Sequence, residues 1–117
     1  MTPSQEQVLA RLAELTRLLD AATVDVARLD EDAVRAKQAY EVGFASAFLR
    51  AEGSVDARKQ VATIGVAALA LDAELAAAKH RACRERIRTL GIQIDVGRTL
   101  SAATRSSWRA EATGQWT

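Results

Sequence analysis

A chain of 117 residues with sixteen basic and fifteen acidic side chains carries a formal net charge of +1, so no global pull toward nucleic acid or an anionic membrane follows from its charge. The single cysteine, Cys83, excludes an intrachain disulfide and fits a reducing compartment. Aromatics make up 4% of the residues, Pro3 is the one proline, and the wealth of alanine, leucine and arginine is the composition of long helices and coiled coils.

The expected fold is therefore all-α, a single helical domain over residues 1–117 built as a long antiparallel helical hairpin or coiled coil. A hairpin of this length leaves much apolar surface uncovered, so a homo-oligomer is expected. Apolar runs are interrupted by charge before reaching about 18 residues, and the N-terminus opens polar. No membrane span or signal peptide is read, and the expected compartment is the cytoplasm. Residues 1–53 carry six basic and nine acidic side chains, and residues 54–117 carry ten and six, so an acidic arm and a basic arm should attract each other.

The first arm is expected over about residues 3–52, with Thr2 as N-cap, Pro3 at the first helical position and Gln5 completing a capping box. A strict alternation of threes and fours then selects Leu12, Leu15, Leu19, Ala22, Val26, Leu29, Ala33, Ala36, Tyr40, Gly43 and Ala47 as a coiled-coil seam. Consecutive helical residues fan apart by about 100°. The acidic run Asp30–Asp32 is thus expected to be a solvated face and not a metal site. Tyr40, Phe44 and Phe48 recur every fourth residue, while Val42, Leu49 and Ala51 cover other faces. The three aromatics read as an oligomer or partner interface packed at the tightest end of the core. The competing reading is a ladder for stacking single-stranded bases.

Gly53 suits the left-handed position after a helix, and Ser54 suits the N-cap of the next, with Asp56 in its first turn. A corner at 53–54 is preferred over one bent helix by this cap chemistry. The second arm, over about residues 55–100, repeats the seam through Ala62, Val66, Leu69, Ala73, Ala76, His80, Cys83, Ile87, Leu90, Ile94 and Gly97. A second apolar row, Ile64, Ala68, Leu71 and Leu75, widens its face. Antiparallel arms about this corner would place Phe44 near Thr63 and Ile64, and Tyr40 near Ala67 and Ala68.

His80 and Cys83 form an H-x-x-C pair with no second histidine or cysteine to complete a zinc site, and the same scarcity removes Ser-His-Asp and Cys-His chemistry. No metal, cofactor or catalytic residue is expected, and the chain reads as a non-enzyme. The strongest charge signal is KHRACRERIR, residues 79–88. Arg81, Arg84 and Arg88 form one ridge opposite the seam, with Lys79 and Arg86 flanking. These five are the candidate nucleic-acid-binding residues. The alternative is a solvated face paired with acids of the first arm such as Asp25 and Asp30. GIQIDVG, residues 91–97, alternates like a short strand, but its seam register favours a helix with two weak points. After Leu100 fraying is expected over 101–117, with Trp108 packed if the helix reaches it and Trp116 a tail residue or a docking element.

The run AYEVGFASAFLRAEGS, the following Arg58-Lys59 and the later IDVGRTL resemble a family of small helical proteins encoded by bacteriophages and prophages. The resemblance covers about Tyr40 to Leu100. Such proteins are similar in size and helicity to UvsY-like recombination mediators, which implies binding to single-stranded DNA. It also implies a recombinase or single-strand-binding protein as partner, in a bacterial host cell. The alternative is a coiled-coil interaction or assembly module that does not touch nucleic acid.

Overall fold

The computed structural model describes residues 3–113. It is an all-α helical hairpin of three helices, α1 (Gln5–Arg50), α2 (Val55–Gly65) and α3 (Ala67–Thr113). Thr2 and Trp116 lie outside the described residues. The start of α1 is corrected to a capping box two residues further in, at Ser4 and Gln7. Ser4 Oγ accepts from Gln7 N at 3.1 Å, and Ser4 N donates to Gln7 Oε1 at 2.9 Å.

Packing divides the chain into two compact units, one comprising the residues up to Val24 with those from Glu85 on, the other Asp25–Arg84. In the first unit α1 and α3 run antiparallel: Gln5 Nε2 donates to Ser101 Oγ at 3.3 Å, and Leu12 lies against Gly97. In the second they are antiparallel again, with His80 Nε2 at 3.7 Å from Asp30 Oδ1 and Gly43 against Val66 and Leu69. Gly43 meets α3 further along than the simple register about the corner would place it. The second arm is broken at this contact.

That break falls at Val66, with φ −113° and ψ 19°, and the axes on either side bend by 62°. Apart from Ala62, the local sequence VATIGV consists of β-branched residues and a glycine, whose rotamer and backbone entropy oppose continuation. Tertiary burial offsets the loss: Ala62 is fully buried and Val66 nearly so. Among the described residues no single helix is long and apolar enough to cross a membrane, although α2 and α3 together pass that test of length and composition.

Every seam position read from the sequence on either arm is buried or half-buried. The seam also runs beyond its expected ends, through Val8 on α1 and Ser101 on α3, both buried. Residues 91–97 are helical. Gly97 does not break α3, and its missing Cβ makes room for Leu12, whose Cδ2 would lie 2.6 Å from such an atom. The expected fraying after Leu100 is corrected, since α3 continues to Thr113. Thr104 contributes by donating its hydroxyl to Leu100 O at 2.8 Å, so the polar side chain is satisfied within the helix. Trp108 follows Thr104 in the seam register but is 68% exposed and not packed, because α1 begins at Gln5, which already lies opposite Ser101.

The corner is not the tightest core. Val8, Leu15, Ala22, Leu90, Ile94 and Ser101 are buried in the first unit, whereas Ala62 and Val66 are the buried residues of the second. The seam of the second unit is rich in small residues, Ala33, Ala36, Gly43, Ala47, Ala73 and Ala76, which bring little area. Several large aliphatics of that unit lie on outer rows: Val42, Leu49, Ile64, Leu71 and Leu75 are each at least half exposed.

Candidate functional site

The corner is built as its cap residues dictate. Gly53 has φ +107°, a conformation that side chains with a Cβ rarely adopt. Ser54 Oγ accepts from Ala57 N at 3.2 Å to start α2. A third device was not legible in the sequence. Arg58 Nε and Nη2 both donate to Phe48 O, at 3.2 and 3.0 Å, satisfying a carbonyl in the last turn of α1. The same guanidinium lies over the Phe48 ring, 4.3 Å from its centroid.

Tyr40, Phe44 and Phe48 stand half-buried along α1 with centroids 6.4 Å apart, and the last two rings are nearly parallel at 15°. Arg58 closes the end of this row. A ring already faced by its neighbours and by a guanidinium is a packing element, and this geometry favours the packing reading over an open base-stacking ladder. Arg58→Ala is expected to cost about 1–2 kcal/mol, from a charge-assisted hydrogen bond and a cation–π contact that are both partly solvated. Arg58→Lys should recover little of it, because an ammonium lacks the planar fork that serves ring and carbonyl together. Urea unfolding followed by circular dichroism checks both.

The acidic run behaves as its fanned geometry requires. Glu31 Oε1 pairs with Arg35 at 2.7 Å and Asp32 with Arg28 at 3.6 Å, while Asp30 Oδ1 lies 3.7 Å from His80 Nε2. Asp25 also goes to Arg28, at 3.7 Å. Among the described residues no group of three or more His, Cys, Asp or Glu is placed to hold a metal ion. Cys83 is half-buried on the seam with His80.

Lys79, Arg81, Arg84, Arg86 and Arg88 all lie on α3, and all five are exposed. Among the described residues none of them forms an ion pair. Asp25 and Asp30, the acids expected to neutralise them, are engaged by Arg28 and His80 instead. The helical repeat sets Arg81, Arg84 and Arg88 on the side of α3 away from the seam residues Cys83, Ile87 and Leu90. What results is a short run of solvated cations with their donors uncommitted, chemistry suited to phosphate oxygens or carboxylates.

One further concavity lies in the first unit, an apolar groove of about 460 Å³ between Val8, Leu12 and Leu15 of α1 and Ile92, Val96 and Leu100 of α3. Arg11 is the one charged residue of its lining. Comparison with known protein families, characterised proteins and solved structures finds no match.

Proposed function

We propose that this chain is a non-enzymatic accessory protein of phage-type DNA recombination or replication, which binds single-stranded DNA as a helical oligomer in the host cytoplasm. The observation that carries this reading is the run of five exposed, unpaired cations within ten residues of one helix. Arg81, Arg84 and Arg88 would meet successive phosphates, with Lys79 and Arg86 as auxiliaries. Near-neutral net charge fits an accessory that holds a strand weakly and yields it. A recombinase or single-strand-binding protein is the partner this role calls for, as in UvsY-like mediators.

Binding of a labelled oligonucleotide should fall with salt, with a log–log slope of roughly −0.7 per phosphate neutralised. Arg81→Glu, Arg84→Glu and Arg88→Glu together should abolish it while the helical circular dichroism spectrum is unchanged. Absence of binding by the unaltered protein at low salt would overturn the reading.

A second reading is a coiled-coil interaction or assembly module without nucleic acid. It is favoured by the large aliphatics left on the outer rows of the second unit. Under it, changes at those aliphatics would disturb assembly, and Arg84→Glu with Arg88→Glu would leave the protein's behaviour unaltered.

A further inference from the structure

The outer face of α3 carries a second apolar row that the hairpin does not use. Ala68, Leu71, Leu75, Ala78 and Ala82 recur at spacings of three and four, all five are exposed, and Leu71 and Leu75 are 55% and 50% exposed. Such spacing is that of a coiled-coil seam, which only another helix covers along its length. The row lies wholly within the second unit.

Its flanks identify the occupant. On one side stand Asp72 and Lys79, on the other Glu74 and Arg81, and the helical repeat places each pair two turns apart. All four are exposed, and among the described residues none forms an ion pair. Along α3 the acids come first and the bases follow. An antiparallel copy of the same helix reverses that order, so each acid comes to face a base.

We propose that two copies of this chain pair antiparallel along this row, Leu75 of one against Ala78 of the other and Leu71 against Ala82. Asp72 then meets Lys79 of the second copy, and Glu74 meets Arg81. Two-fold symmetry repeats both contacts, giving two ion pairs on each flank of the apolar row. Other arrangements match fewer charges. Sliding the antiparallel pair by one heptad toward the N-terminus sets Asp72 against Asp72 and Glu74 against Glu74, and a parallel pair gains Glu74 against Lys79 but sets Arg81 against Arg86. This deepens the oligomeric part of the function proposed above and rests on it. In the dimer Lys79 and Arg81 are taken up by Asp72 and Glu74 of the second copy, which narrows the phosphate contacts proposed above to Arg84, Arg86 and Arg88.

Charge reversal tests the register, because the four side chains are exposed and their replacement leaves the hairpin core intact. Sedimentation velocity on the full chain should show a dimer. Lys79→Glu with Arg81→Glu, and separately Asp72→Lys with Glu74→Lys, should each weaken dimerisation by roughly tenfold or more. All four changes together should restore it, and an equimolar mixture of the two double variants should form heterodimers by native mass spectrometry. An unaltered chain that is monomeric at tens of micromolar, including one that sediments with anionic lipid vesicles instead, overturns the proposal. So do double variants that keep the parent mass, or a fourfold variant that is helical yet monomeric. Asp72→Asn with Glu74→Gln removes the dimer's ion pairs, retains the whole basic run and adds no cation. Strand binding by that variant therefore reports on the DNA reading separately from the dimer.

Discussion

Leu15→Ala is expected to lower the stability of the first unit by about 2–5 kcal/mol, the range for deleting a buried leucine side chain and leaving its cavity. Leu15 is 3% exposed, among the best-buried large side chains of a core only two helices thick. The neighbouring groove beside Leu12 and Ile92 is already open, so little material is at hand to collapse into the vacated space. A small domain has about 5–15 kcal/mol in total. The variant should therefore show a large drop in its urea midpoint, and hydrogen exchange should accelerate in residues 5–24 and 85–113 ahead of the rest. Val24→Ala is the control: 73% exposed in the same unit, it should leave the unfolding nearly unchanged.

Gly53→Val is the second large effect, expected at about 2–3 kcal/mol. At φ +107° a β-branched side chain collides with its own backbone, so the turn must reorganise. Reorganisation pulls on the N-cap at Ser54 and on Arg58, whose guanidinium ties α2 to the Phe48 carbonyl. Loss should appear as earlier urea unfolding and as faster exchange at residues 54–65. Gly53→Asn, which tolerates positive φ better than other side chains, should lose clearly less. Equal losses for Val and Asn would show that steric strain at this backbone is not what holds the corner.

The fold was legible where a repeating pattern or a cap carried it. Twenty-two seam positions could be named because each recurs at a spacing of three or four, and Gly53-Ser54 marked the corner by backbone chemistry alone. The break at Val66 was missed because its seam register runs through unperturbed. The signal was there in the poor helix formers from Val61 to Val66, but propensity is outweighed by packing elsewhere in these helices. Arg58 was read as part of a resemblance and not as a clamp, since its acceptor is a main-chain carbonyl ten residues back. Ser4 and Gln7 fit the same capping pattern as Thr2 and Gln5, so residue pattern alone could not choose between the two starts. For the basic run, composition gave its position. That Asp25 and Asp30 pair elsewhere depended on side-chain geometry.

The bend at Val66 bears on how far any assembly of this chain can grow. A straight helix with an apolar outer row invites a neighbour to slide along it, and a contact that can slide can also propagate into a fibre. Here α2 departs from the line of α3 by 62°, and Val61 and Ile64, both more than half exposed, turn away with it. Toward the other end Glu85 follows Ala82 in the same row and puts a charge where the next apolar contact would fall. The row is thereby finite at both ends, which favours a closed pair over an open chain of subunits.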